Sequence, residues 1–101
     1  MSFMKVARVE QIPAGTMKSV IIQDTSILVA NVDGHFYAID NECTHAGVGL
    51  SGGTLEGKII TCPRAGSQFD VTSGARVRGP AMRRARIHAV NVEDGDVKVE
   101  I

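Results

Sequence analysis

The 101-residue sequence has no tryptophan, and its aromatic residues are limited to three phenylalanines and one tyrosine. A core without large rings has to be built from Val, Ile, Leu and Ala, and β-branched residues suit strands better than helices. No apolar run approaches the roughly 20 residues that span a bilayer as a helix. The N-terminus also lacks the charged-then-apolar order of a secretion signal. We therefore expect one domain over residues 1–101, with no membrane span and a cytoplasmic location.

The sequence also has no net charge, because 11 Lys and Arg residues balance 11 Asp and Glu residues. The balance conceals one basic segment, residues 64–86, in which six arginines stand against a single aspartate and give a charge of +5. Such a segment is either a solvated loop and strand edge or a docking patch for an acidic protein partner. No nucleic-acid-binding motif and no interleaved aromatic residues accompany the arginines, so we expect no nucleic-acid partner.

Short apolar stretches separated by turn residues run along the chain, and no helical periodicity is present over any window of about 11 residues. Asp33-Gly34 and Asp94-Gly95 are two-residue hairpin signals. The pattern predicts an all-β fold. The predicted strands cover residues 5–9, 19–22, 27–32, 35–39, 58–61, 86–92 and 96–101.

Two predicted loops, residues 41–53 and 63–79, are rich in Gly, Ser and Thr, and a cysteine stands at the entrance of each. The first loop contains Cys43, one intervening residue and His45, and 16 residues then separate His45 from Cys62. Cytosolic thiols are normally kept reduced, so a ligand role has to be weighed before a disulfide. In this pattern the sequence resembles the Rieske family, whose two loops carry Cys-x-His, a spacer of similar length, and Cys-x-x-His.

The resemblance implies an antiparallel β-sandwich or barrel with a two-loop cluster-binding subdomain, its loops at about 41–53 and 62–81. In the family these loops hold a [2Fe-2S] cluster with two thiolates on one iron and two imidazoles on the other. The neutral imidazoles raise the reduction potential above that of an all-cysteine cluster. Carried over to this sequence, Cys43 and Cys62 would bind the inner iron and His45 the outer iron.

Four further residues correspond to positions that surround the cluster in the family, namely Leu50, Gly66, Ser67 and Pro80. Gly66 and Ser67 resemble second-loop residues whose N–H and hydroxyl groups donate hydrogen bonds to cluster sulfur. Pro80 belongs to a Gly-Pro-Ala segment similar to the proline loop that packs over the cluster and limits water access. Such donors and shielding tune a metal centre as strongly as its ligands do.

The sequence departs from the family at the fourth ligand position, where Ala65 stands three residues after Cys62. A methyl group cannot bind iron, so we predict a [2Fe-2S] cluster that is absent, altered or substoichiometric. His35 and His88 lie in predicted strands and are interpreted as surface or strand histidines, not as substitutes. Three ligands and their surroundings are retained, which favours an engineered ligand-deletion variant over a lineage that has lost the site.

Three other positions indicate the branch of the family. Val48 and Arg64 occupy the places of the extra disulfide of high-potential members, and Phe69 occupies that of their hydrogen-bonding tyrosine. Fewer donors to sulfur stabilise the reduced cluster less, which indicates the lower-potential ferredoxin type. The resemblance therefore implies a Rieske-type ferredoxin, an electron-transfer protein and not an enzyme. It would carry one electron between a reductase and a terminal oxidase or oxygenase.

Two alternatives stay open. A cluster-free Rieske-like module would act by protein contact, with its cysteines as inert buried thiols. A mononuclear site would hold a metal such as Zn²⁺ through Cys43, His45 and Cys62, with water in the fourth position, a ligand count that matches open zinc sites.

Overall fold

The structure is a computed structural model that describes residues 2–44, 47–64 and 66–101. Within these residues the chain forms eleven β-strands and two single-turn 3₁₀ helices, Val9–Gln11 and Leu50–Gly52, which confirms the all-β prediction. The strands in chain order are β1 (Phe3–Arg8), β2 (Met17–Ile22), β3 (Thr25–Val32), β4 (His35–Asp40), β5 (Thr54–Glu56), β6 (Ile59–Thr61), β7 (Gln68–Asp70), β8 (Arg76–Arg78), β9 (Ile87–His88), β10 (Val90–Glu93) and β11 (Asp96–Glu100).

The described strands form three antiparallel sheets. Their orders are β1-β11-β10, β2-β3-β4-β9 and β5-β6-β7-β8. The first sheet joins the N-terminal strand to the last two strands of the chain. In the sequence, the third sheet begins after the first predicted loop and includes part of the second. It therefore holds the cysteine-containing segments in place.

Both predicted hairpins are confirmed. Asp33 and Gly34 connect β3 to β4 with φ angles of 52° and 91°, and Asp94 and Gly95 connect β10 to β11 with φ angles of 53° and 79°. Positive φ at both central residues is the geometry of a type I′ turn, whose twist matches that of the flanking strands. Aspartate and glycine tolerate this conformation, which explains why the local sequence alone was sufficient to predict these connections.

The central strand β3 separates two hydrophobic cores because its side chains alternate between the two faces of the sheet. Leu28 and Ala30 contribute to one core, while Ile27 and Val29 contribute to the other. We call the first the loop core; its buried members are Leu28, Ala30, Ile39, Cys43, Leu50, Ile60, Cys62, Phe69, Val71, Ala81 and Ala85. We call the second the terminal core; its buried members are Ala7, Ile12, Ile22, Ile27, Val29, Ala38, Val97 and Val99.

Two expectations about local structure were wrong. The segment 63–79, predicted as a loop, contains β7 and β8, because Phe69 is fully buried and pairs with Ile60 of β6. The segment 86–92, predicted as one strand, is interrupted at Ala89. β9 pairs with β4 in one sheet and β10 pairs with β11 in another, so the chain changes sheets at this residue.

Candidate metal centre

The first cysteine, Cys43, lies three residues after the end of β4. The Cys43 N–H donates to the Val48 carbonyl at 2.8 Å, and the Gly47 N–H donates back to the Cys43 carbonyl at 2.8 Å. Asn41 fixes the base of this loop through both ends of its amide. Its Oδ1 accepts from the Ser51 N–H at 2.8 Å, and its Nδ2 contacts the Ser26 and Ser51 hydroxyls at 3.1 Å.

The second cysteine follows β6, and its loop closes on itself in a similar way. The Cys62 N–H donates to the Ser67 carbonyl at 2.7 Å, which joins the two ends of this loop. Gly66 has a φ of 74°, a left-handed conformation that favours glycine at this point of the turn. The Arg64 N–H donates to the Cys62 Sγ at 3.4 Å, so a backbone dipole already points at the sulfur.

The two loops bring the thiols together in the loop core. Cys43 is 0% and Cys62 is 2% exposed, and no disulfide joins these two described residues. Burial raises the pKa of the Cys62 thiol, the Arg64 N–H partly offsets the rise, and the neighbouring Cys43 thiol adds to it. Two adjacent thiolates in an apolar pocket repel one another unless a cation neutralises them. The pair therefore has the chemistry of a soft-metal site.

A third segment covers the thiol pocket. The buried Ser67 Oγ accepts a hydrogen bond from the Ala81 N–H at 2.9 Å, which ties the second loop to the segment that follows the cis Gly79–Pro80 bond. Ala81 is fully buried in the same core as both cysteines, whereas Pro80 is exposed. The sequence prediction singled out Pro80, but the side chain of this segment that packs beside the thiols is that of Ala81.

Comparison with known proteins decides which family has this arrangement. The Rieske [2Fe-2S] domain family matches residues 2–98. The chain belongs to the Rieske family. It is 32% identical over 91 residues to the ferredoxin component of the naphthalene 1,2-dioxygenase system of Pseudomonas aeruginosa, covering 90% of this chain and 88% of that relative.

Two solved structures match the Rieske chain along almost its whole length. The Sphingomonas yanoikuyae B1 ferredoxin matches with a TM-score of 0.93 and 31% identity, covering 99% of both chains. A chain from the complex of reduced oxygenase and oxidized ferredoxin in carbazole 1,9a-dioxygenase matches with a TM-score of 0.91 and 33% identity, covering 96% of this chain and 91% of that one. The predictions of a Rieske-type ferredoxin and of an electron-transfer protein, not a catalyst, are confirmed by these relatives.

The Rieske family implies an iron–sulfur cluster, and the described residues fit its thiolate half. Two buried thiols converge from separate loops, and Leu50 and Ala81 supply apolar walls in the same core. The Ser67 hydroxyl keeps its own proton for a further acceptor while its oxygen accepts from Ala81. A sulfur-rich group in this pocket would therefore meet both thiol ligands and a hydrogen-bond donor.

The imidazole half of the ligand set is different. His45, the predicted third ligand, and Ala65, at the fourth position, both lie outside the described residues. Within the ranges that the structure describes, no group of three or more His, Cys, Asp or Glu side chains could hold a metal ion. Ala65 has no side-chain donor in any conformation, so the sequence supplies three of the four ligands of the family pattern.

The two other histidines have structural surroundings. The His88 side chain is 6% exposed, and its Nε2 contacts the Asp40 Oδ1 at 2.6 Å, which joins β9 to β4. His35 is exposed at the beginning of β4. The interpretation of both as strand or surface histidines agrees with these positions. The Asp40 partner was missed, because 47 residues separate the pair in the sequence and only the sheet brings them together.

None of the helical segments in the described part of the chain has the length and apolar character that a membrane crossing requires.

Proposed function

We propose that this chain is a cytoplasmic Rieske-type ferredoxin that carries one electron at a time from a reductase to a terminal oxygenase. The observation that carries the proposal is the convergence of the buried Cys43 and Cys62 thiols from two loops of an all-β frame. Family membership supports the iron–sulfur cluster, and the relative in the carbazole 1,9a-dioxygenase complex supports an oxygenase as the protein that receives the electron.

In this proposal Cys43 and Cys62 hold one iron and His45 holds the other. When bound, the cluster supplies reversible storage of a single electron, taken from the reductase and given up to the oxygenase. Ala65 leaves one coordination position to water, hydroxide or an outside ligand. Ala65 stands where the family pattern has a histidine, and the residues around it are retained. The proposal therefore treats Ala65 as a ligand deletion.

The protein residues around the thiols would set the electrostatics of the transfer. The Arg64 N–H stabilises negative charge on the Cys62 sulfur, and the Ser67 hydroxyl offers a second donor. Gly66 allows the backbone turn that brings this loop close. Leu50 and Pro80, the latter together with the buried Ala81, would limit the access of water, which strengthens each of these hydrogen bonds.

The proposal is tested by the iron and acid-labile sulfide content of protein purified and reconstituted without oxygen. We expect about two of each per chain, or a smaller amount in a fixed one-to-one ratio, because the ligand set is incomplete. The Cys43→Ser/Cys62→Ser double variant is the matched control for adventitious iron. Iron or zinc without sulfide would instead establish a mononuclear site, and neither metal nor sulfide after reconstitution would establish a cluster-free module.

A further inference from the structure

The basic side chains of the molecule fall into two groups that differ in their partners. Outside residues 64–86, four of the five are neutralised by carboxylates at 2.9 to 3.3 Å. These pairs are Lys5 with Asp96, Arg8 with Asp96 and Glu10, Lys58 with Asp70, and Lys98 with Glu93. Only Lys18 in this group has no carboxylate partner within the described residues.

The six arginines of residues 64–86 are all exposed, and none forms an ion pair with any described carboxylate. The one acid of the segment, Asp70, is already bound by Lys58 and by the Thr72 N–H and hydroxyl. The positive charge of the segment is therefore not compensated within the molecule. The six residues are Arg64, Arg76, Arg78, Arg83, Arg84 and Arg86.

Three of these arginines contact the cysteine loops or the segment that covers the thiol pocket. The Arg83 carbonyl accepts from the hydroxyl of Thr44, the neighbour of Cys43, at 2.7 Å. The Arg64 N–H lies on the Cys62 sulfur. The Arg76 guanidinium packs against Gly79, where it would lie 3.5 Å from an added Cβ atom. Arg64 and Arg83 therefore lie next to the two cysteine loops, and Arg76 lies against the segment that covers the thiol pocket.

Two exposed apolar residues lie among the arginines in the sequence. Met82 is 85% exposed and directly follows the buried Ala81, and Val77 is 50% exposed between Arg76 and Arg78. Protein interfaces are enriched in Met and Arg and depleted of Lys. All six basic residues here are arginines, whereas four of the five elsewhere are lysines. We call Val77, Met82 and the six arginines the arginine face.

We propose that the arginine face is the docking surface for a carboxylate-rich surface of a redox-partner protein, which it holds directly over the thiol pocket. This inference rests on the proposed function, because it assigns the face to the exchange of electrons. Charge complementarity selects an acidic partner, and the planar guanidinium groups suit bidentate binding of carboxylates. Neither exposed apolar side chain of the face is aromatic, so the face offers no ring on which nucleic-acid bases could stack.

The test uses a carboxylate-terminated monolayer on gold as a defined acidic surface, with an ammonium-terminated monolayer as its opposite. Adsorption is followed by quartz-crystal microbalance, which needs no cluster, and voltammetry on the same electrode reports electron transfer where iron is present. We expect adsorption on the carboxylate surface only. Arg83→Glu should weaken adsorption about fivefold, which is the size of effect known for exposed ion pairs. The double variant Arg78→Glu/Arg83→Glu should weaken adsorption more than Arg83→Glu alone.

Lys18→Glu is the matched control, because Lys18 is an exposed cation without a carboxylate partner among the described residues. It lies on β2, and β2 and β9 form the two opposite edges of their sheet. Lys18→Glu makes the same charge change and should alter adsorption less than twofold. Equal effects of Lys18→Glu and Arg83→Glu, or equal adsorption on both monolayers, would overturn the proposal. If the protein takes up no iron after anaerobic reconstitution but still adsorbs on the carboxylate surface alone, the proposed function fails and the docking face stands.

Two further experiments test nucleic acid and an anionic membrane as partners. Short duplex DNA and phosphatidylglycerol vesicles are offered to the protein at about 0.15 M salt, where exposed charges are screened beyond roughly 8 Å. We expect no binding to either. Binding of either one that Arg78→Glu/Arg83→Glu abolishes would assign the face to nucleic acid or to an anionic membrane and overturn the protein partner.

Discussion

The loop core and the terminal core share β3 and β4 but contain different types of residue. Every buried member of the terminal core is Ala, Val or Ile. The loop core also contains two thiols and an aromatic ring, and the buried hydroxyl of Ser67 lies at its edge. Adjacent residues of one strand therefore serve opposite purposes: Ile27 packs the terminal core and Leu28 packs beneath the cysteines. Substitutions in the two cores should therefore change different measured properties of the protein.

The two cores are also closed in different ways. Antiparallel ladders between β1, β11 and β10 seal the terminal core, with one register shift between Lys5 and Ala7 of β1. The loop core is closed by side-chain hydrogen bonds: the Asn41 Oδ1 and the Ser67 Oγ accept from the Ser51 and Ala81 N–H groups, and the Thr44 hydroxyl donates to the Arg83 carbonyl. We infer that the terminal core provides most of the stability that is independent of a cofactor, while the loop core provides the site.

The largest effect on stability is expected from a cavity in the terminal core. Ile27 is fully buried, so Ile27→Ala should lower the free energy of unfolding by about 2–5 kcal/mol. The iron content of the molecules that remain folded should not change. Ile21→Ala is the matched control, because Ile21 on the neighbouring strand is 77% exposed and should cost far less. Urea titration and iron analysis of the same samples check both statements, and loss of iron in Ile27→Ala would mean that the cores are not separable.

Ala65→His alters the loop core in the opposite way, by completing the ligand set. A neutral imidazole in place of hydroxide removes a negative charge, so the reduction potential should rise by on the order of 100 mV, or about 2.3 kcal/mol for one electron. The potential should also depend more steeply on pH, because a second ionisable imidazole is present. Ala75→His places an imidazole at an exposed position and should change neither quantity. Equal potentials and equal pH slopes in this chain and Ala65→His would contradict the prediction.

Ser67→Ala tests whether the hydrogen bond between the second loop and the covering segment holds the loop core closed. Removing the hydroxyl leaves the buried Ala81 N–H without its acceptor, which should cost about 1–3 kcal/mol. Hydrogen exchange at the Ala81 amide should become faster. The exposed Ser19→Ala on β2 is the control and should be neutral. An unchanged exchange rate at Ala81 would show that this hydrogen bond does not limit opening.

The smallest effect concerns Asp70 at the end of β7. Burial opposes its charge, but hydrogen bonds from Thr72 and the ion pair with Lys58 outweigh burial and lower the pKa of the carboxyl below its ordinary value of 3.8. A lowered pKa stabilises the fold above the ordinary value and ceases to do so as the pH falls through the folded one. Asp70→Asn should therefore cost about 1 kcal/mol at pH 7, and the difference should disappear in acid. A difference that is equal at neutral and acid pH would contradict this assignment.

The parts of the fold that the sequence predicted are those with local causes. The two predicted hairpins depend on an adjacent Asp and Gly, and the cysteine spacing that identified the family is local to two loops. The division into two cores could not be predicted, because it requires knowing which strands share a sheet. β7 and β8 were missed for the same reason, since three residues carry too little periodicity without the burial of Phe69 against β6.

Prediction of the site was also restricted to features with local causes. Cys43 and Cys62 could be chosen from their spacing, whereas the hydrogen bond between Ser67 and Ala81 joins residues 14 apart that no local pattern connects. The basic segment was visible in the sequence. That its charge is uncompensated became visible only when Lys5, Arg8, Lys58 and Lys98 were found with carboxylate partners and the six arginines were not.

The central claim is that the buried thiols of Cys43 and Cys62 bind iron within a sulfide-containing cluster. Iron K-edge X-ray absorption of the anaerobically reconstituted chain tests it most directly, because it reports the atoms around the metal. We predict a shell of sulfur, a second iron at cluster distance and a small contribution from imidazole. A shell of oxygen and nitrogen alone, or iron that survives unchanged in Cys43→Ser/Cys62→Ser, would contradict the account.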